Sequence, residues 1–161
     1  MNKTVETIET ERLFLRGITE EDTAEIVAWR SAPDVYRFFK SPHKITAEEH
    51  LKWYRANYLH NELRYDWICI EKDTEQKIGV FGLMRKGATA EVNYLLCSAA
   101  MHKGYATEAI QRIIRFSADV WDIHRIIAEI HKDNEASIAL VKRMGFSLQS
   151  DNGFVIYSIE T

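Results

Sequence analysis

The 161-residue chain is poor in several things at once, and each shortage closes off a class of function. It has two cysteines, Cys69 and Cys97, each isolated in an apolar run and without the paired spacing of a zinc site. Both read as reduced core thiols. The six histidines, His43, His50, His60, His102, His124 and His131, form no ligand motif, so no metal is indicated. Basic charge is not in excess: 21 Lys and Arg against 24 Asp and Glu leave a formal net charge of -3, which argues against a nucleic-acid partner. No apolar run approaches the roughly 20 residues of a membrane span, and the opening MNKTVETIETERLFLRG lacks a signal-peptide core. The expectation is a cytoplasmic protein with no membrane partner. There is no internal repeat, low-complexity tract or linker. What is present, 46% hydrophobic and 28% charged residues, suits one globular domain over residues 1–161.

The order of elements follows from periodicity and from start and stop signals. RLFLRGIT reads as a short strand, and Thr19 to Asp22 as the start of a helix carrying Ile26, Val27 and Trp29 that ends near Pro33. Thr46 and Glu49 match a capping box before a second helix with Leu51, Trp53, Tyr54 and Tyr58. YDWICIEK, KIGVFGLMR and AEVNYLLC are β-branched and aromatic runs, read most economically as three strands of a meander. From Gly104, apolar residues Ala106, Ala109, Ile110, Ile113, Ile114, Ala118 and Trp121 recur at helical steps and predict a long helix across the sheet. HRIIAEIH then reads as a strand, NEASIALVKRM as a helix ended by Gly145, and FSLQS with FVIYSI as a hairpin turning at DNG. The order β-α-α-β-β-β-α-β-α-β-β defines an α/β fold with a mixed sheet and helices on both faces.

MHKGYATEAI, residues 101–110, places a glycine at the mouth of the long helix. A glycine there costs helix stability but leaves the backbone N–H groups open to a ligand, and an anion suits a helix N-terminus.

This loop follows the strand ending NYLLC and precedes, about 25 residues on, another strand and an Asn-capped helix ending in Gly-Phe. In that ordered set the chain resembles the GNAT superfamily of acetyl-CoA-dependent N-acetyltransferases over roughly residues 11–159. The family pattern of Gln or Arg, two residues, Gly, one residue, then Gly or Ala reads here Met101-His102-Lys103-Gly104-Tyr105-Ala106. Met101 departs from the first position, and His102 stands where a second glycine is common. The resemblance implies that backbone amides over His102, Lys103, Gly104, Tyr105, Ala106 and Thr107 hold the cofactor's pyrophosphate, with Lys103 and Thr107 as supplementary donors. It implies that Tyr94, Leu95 and Leu96 offer backbone groups to the pantetheine arm, and that Asn134, besides capping its helix, holds that arm. It also implies a largely antiparallel sheet and direct acetyl transfer, with Cys97 a core thiol and not an acyl carrier.

Acetyl transfer from a thioester to an amine needs a neutral amine, a polarised carbonyl and a proton for the leaving thiolate. Glu91, at the start of the strand leading to the cofactor, stands where several GNAT enzymes place a carboxylate base, and a strand amide near Leu96 is expected to polarise the carbonyl. In many relatives a tyrosine seven residues after the Asn protonates the thiolate; here that position is Val141. Another hydroxyl such as Ser137, water, or unassisted departure remain open.

WRSAPDVYRFF with ITAEEHLKWY resembles a subgroup that acetylates nucleotide-linked amino sugars on the route to pseudaminic acid, and less closely enzymes that acetylate ribosomal-protein N-termini. Trp29, Arg30, His50 and Trp53, with Phe38 and Phe39 nearby, concentrate aromatic area and positive charge, a set able to stack on a base and pair with a diphosphate. A non-catalytic acyl-CoA binding module is the competing class, and a homodimer is expected from the resemblance.

Overall fold

Each strand expected from the alternating and β-branched runs forms, and a short one precedes them. The computed structural model describes residues 3–161. Strands β1 (Ile8–Glu9), β2 (Leu13–Gly17), β3 (Arg64–Glu71), β4 (Lys77–Lys86), β5 (Thr89–Leu96), β6 (Arg125–His131), β7 (Ser147–Asn152) and β8 (Phe154–Glu160) lie with helices α1 (Thr23–Arg30), α2 (Pro33–Tyr36), α3 (Ala47–Trp53), α4 (Tyr105–Trp121) and α5 (Glu135–Arg143). One sheet contains all eight strands in the order β1-β2-β3-β4-β5-β6-β8-β7. Neighbours are antiparallel except β5 and β6, which run parallel.

Strand alternation divides the interior into two layers. On β3, Trp67 and Cys69 face the larger core, while Ile68 faces a second, smaller one. The larger core is closed by Ala109, Ile110, Ile113 and Phe116 of α4 and by Leu140 and Val141 of α5. The smaller one gathers Ile18, Ile26 of α1, and Tyr54 and Tyr58 after α3. The helices therefore cover both faces, as the sequence predicts.

Two differences have simple causes. Pro33 does end α1, but its fixed φ also suits a first helical position, and it opens the one-turn α2. Only half of the expected capping box at α3 forms. Thr46 accepts from the Glu49 amide at 3.1 Å, while the Glu49 carboxylate lies 3.5 Å from His43 Nε2. Past α3 the chain widens into a π-type turn over Tyr54–Tyr58 that buries both tyrosines.

Candidate active site

Strands β5 and β6 share only two register positions, Ala90 with Ile126 and Glu91 with Ile127. Beyond them the strands diverge, and a cleft of about 420 Å³ opens between them under α5. The Cys97 amide donates to the Ile78 carbonyl at 2.8 Å, which sets the alternation of the β4–β5 ladder. In that alternation the backbone groups of Leu95 turn toward Val80 on β4, and those of Tyr94 and Leu96 turn toward the diverged β6. Of the three residues expected to serve the pantetheine arm, Tyr94 and Leu96 present backbone to the cleft. Leu95 contributes its side chain to the wall.

At the end of the cleft the chain turns into α4. His102 and Gly104 both adopt positive φ, 63° and 79°. A left-handed conformation is the physical reason why glycine suits position 102, and histidine tolerates it better than most residues. The first α4 hydrogen bond at this end runs from the Glu108 amide to the Gly104 carbonyl at 3.1 Å, so the amides of Tyr105, Ala106 and Thr107 precede it without an intrahelical acceptor. A Cβ at Gly104 would meet only Arg12 Nη2, at 3.4 Å, which leaves the approach to these amides open. Amides at the positive end of a 17-residue helix suit a pyrophosphate, and the structure fits the expected group here.

Side chains contribute less at this loop. Lys103 is exposed. Tyr105 is buried, with its hydroxyl donating to the Glu71 carboxylate, which leaves its amide as the group it can offer a ligand. Met101 lines the cleft. Arg12, which no sequence motif marks, fixes the turn: Nη1 donates to the Lys103 carbonyl at 2.9 Å and Nε to Glu108 at 2.7 Å. Its partners lie more than ninety positions away, beyond the reach of any local signal.

Asn134 caps α5, its Oδ1 accepting from the Ser137 amide at 3.3 Å, and both residues line the cleft. The Ser137 hydroxyl lies 3.1 Å from the Tyr94 hydroxyl. Val141, 2% exposed, belongs to the core and to the same wall.

A second cavity, about 280 Å³, lies under the N-terminal helices and shares Phe39, Asn93, Tyr94 and Leu95 with the cleft. Arg30, His50 and Trp53 line it as expected. Trp29 does not: one residue before Arg30, it lies about 100° round the helix and packs against the smaller core. Phe38 lines the cleft and stands 5.7 Å from the His131 ring.

Three polar residues of this cavity went unselected from sequence. Arg64 and Asp66 alternate onto one side of β3, with Arg64 Nε donating to Asp66 Oδ2 at 2.8 Å. Their signal was available, since an acid inside the apolar run YDWICI needs a reason to be buried. Asn93 faces Asp66 across Gly82, where a Cβ would meet Asp66 Oδ1 at 2.4 Å and Asn93 Oδ1 at 2.7 Å. Only a glycine leaves room for both groups.

The electrostatics of the cavity are mainly cationic. Arg30 has no ion-pair partner among the described residues and lies 5.0 Å over the Phe39 ring. Burial, then the nearby Arg64 charge, push its guanidinium below the ordinary value. His50 is 3% exposed, and neither ring nitrogen has a hydrogen-bond partner. Burial, reinforced by Arg30, lowers its pKa and favours the neutral ring. Glu91 lies near the start of β5, where the sequence puts it. It lines neither cavity, and its carboxylate is paired with Lys86. Cys69 is sealed in the core, where burial pushes its thiol up to about 12.

Comparison with known proteins identifies the family. The family model for the acetyltransferase (GNAT) domain matches residues 12–147. The chain belongs to the GNAT family and is an acetyl-CoA-dependent acetyltransferase. It is 31% identical over 144 residues to the uncharacterized N-acetyltransferase YoaA of Bacillus subtilis, covering 86% of this chain and 81% of the relative. To the acetyltransferase PseH of Campylobacter jejuni it is 26% identical, covering 86% and 87%. Its fold matches that of RimL, a ribosomal alpha-N-protein acetyltransferase solved in complex with coenzyme A, with a TM-score of 0.82 at 20% identity over 96% and 98% of the two chains. No helix among the described residues is long and apolar enough to cross a membrane.

Proposed function

We propose that the protein transfers the acetyl group to the primary amine of a nucleotide-linked amino sugar. The observation that carries this reading is the cationic, aromatic cavity abutting the acyl cleft, with Arg30 outside any ion pair and both nitrogens of His50 without a hydrogen-bond partner among the described residues. Those groups suit a phosphate, and Trp53 and Phe39 suit a ring. At about 280 Å³ the cavity lies near the small end of ligand sites, which run from roughly 300 Å³, so it takes one sugar ring with the phosphate attached to it and leaves the nucleoside toward the open side. The resemblance of residues 29–39 and 45–54 to the amino-sugar subgroup points the same way.

On this reading the amides of residues 102–107 hold the pyrophosphate, with Lys103 and Thr107 adding side-chain donors. The Asn134 amide nitrogen and the backbone of Tyr94 and Leu96 align the pantetheine arm, and a strand amide near Leu96 polarises the thioester carbonyl. A protonated amine has no lone pair, so a carboxylate must take its proton. Both acids are paired, Asp66 with Arg64 and Glu91 with Lys86, but only Asp66 lines the acceptor cavity, and it takes that part in preference to Glu91.

Acetylation of a protein N-terminus, the second reading, calls for an acidic groove of peptide width. Asp66 is the single acid lining the acceptor cavity, beside two arginines, which disfavours it. A cytoplasmic location suits the use of acetyl-CoA, and a homodimer would pair through the exposed β7 at the edge of the sheet. The test is to follow free thiol with acetyl-CoA and panels of nucleotide-linked amino sugars, polyamines and N-terminal peptides. Turnover confined to the first panel is expected; preference for peptides or polyamines would replace the assignment.

A further inference from the structure

Acetyl transfer leaves one proton without a donor. As the nitrogen lone pair forms the N–C bond, the C–S bond breaks and its electron pair stays on sulfur. The ammonium gives up two protons in reaching the amide, one before attack and one after it, while the thiolate must gain one. The α5 position that the resemblance associates with that proton is occupied by Val141, an apolar core side chain.

Two hydroxyls line the acyl cleft, Tyr94 and Ser137, and they are hydrogen-bonded to each other at 3.1 Å. Tyr94 also borders the acceptor cavity, so it stands where the two cavities meet. Its ring is held by stacking on Phe81, with centroids 5.6 Å apart and an interplanar angle of 14°. Ser137 is held in turn by the Asn134 cap. His131 is the rival proton carrier on the cleft wall. Its Nδ1 accepts from the Asp133 amide at 3.0 Å, its ring lies between Phe38 and Phe154, and it does not border the acceptor cavity.

We propose that Tyr94, delivered from the strand, protonates the departing CoA thiolate, and that Ser137 orients its hydroxyl and returns a proton to it. The Tyr94 O–H proton passes to sulfur; the phenolate recovers one from Ser137, which takes one from solvent. Tyr94 is the catalytic residue and Ser137 a positioning residue. Burial, partly offset by Ser137, raises the Tyr94 pKa, so the phenol keeps its proton through the neutral range. The inference rests on acetyl transfer and is independent of which amine is acetylated.

The test uses the protein with CoA alone, so that it needs no acceptor. A phenol donating to sulfur stabilises the thiolate, so bound CoA should titrate, by thiolate ultraviolet absorbance, below the free-thiol value of about 8.5. Tyr94→Phe keeps the stacked ring and should return the titration to that value, with Ser137→Ala in between. Once an acceptor is in hand, Tyr94→Phe should lower kcat roughly 10²-fold and remove the alkaline limb of its pH profile, with calorimetric CoA affinity retained. Identical titrations in wild type and Tyr94→Phe, or a shift lost in His131→Gln instead, would overturn the assignment. If Tyr94→Phe does not fold, Ser137→Ala decides by the same titration, an unshifted curve being the negative result. Failure of every amino sugar as acceptor leaves this measurement intact and counts against the acceptor reading alone.

Discussion

The two cavities that meet at Asn93, Tyr94 and Leu95 are built from different material. The side proposed for the cofactor is mostly backbone: amides at the mouth of α4, strand groups exposed where β5 parts from β6, and a helix cap. The side proposed for the acceptor is side chains: Arg30, His50, Trp53, Arg64, Asp66 and Asn93. Backbone sites tolerate substitution, because every residue carries an amide, whereas a site made of side chains changes its ligand with each exchange. One half can stay constant across many enzymes while the other determines what each enzyme acts on.

The contrast can be broken experimentally, and the acceptor side should give the larger effects. Asp66→Asn is expected to lower kcat/KM about 10²-fold, with the loss shrinking as the pH is raised and free amine accumulates in solution, while Glu91→Gln has little effect. A reversed pair of profiles would restore Glu91 as the base.

Acid should disturb the scaffold beneath that side. Burial works to raise the Asp22 carboxyl, but Arg16, Lys77 and the Thr19 amide outweigh it and hold it at about 2. Its folded value lies below the ordinary one of about 3.9, so the stability it contributes is complete above that range and is lost as pH falls through the folded value. The amount is about 2 kcal/mol, measurable by urea titration at several pH values, and Asp22→Asn should flatten that acid dependence.

Arg30→Ala should raise the acceptor KM about tenfold with kcat nearly unchanged, provided the acceptor bears phosphate. An unchanged KM for a nucleotide sugar would remove Arg30 from phosphate binding. The smallest effect belongs to the cofactor side. Lys103→Ala should weaken acetyl-CoA binding only a few-fold, about the worth of one exposed charge, and reduce its salt dependence in calorimetry.

The same division explains what could be read from the sequence. Gly104, the Thr46 and Asn134 caps and the helical spacing of α4 are local signals, and each appears in the structure where the sequence puts it. The pairing of Asp66 with Asn93 across Gly82 depends on the registers of three strands, which no local pattern records. Trp29 and Arg30 are adjacent in a helix too weakly patterned to say which faces the cavity. The Tyr94–Ser137 contact joins residues 43 positions apart, so the sequence could flag the missing tyrosine at 141 without finding its replacement.

The position of β8 has a consequence for how such a protein is made. The outer neighbour of β6 is Phe154–Glu160, residues that follow β6 only after α5 and β7. On a ribosome, therefore, the part of β6 beyond its two positions of pairing with β5 has no partner strand until α5, β7 and β8 have followed it out, and the nascent chain carries an open sheet edge until then. Disrupting β8 would strip the cleft of its backing while leaving the turn into α4 untouched.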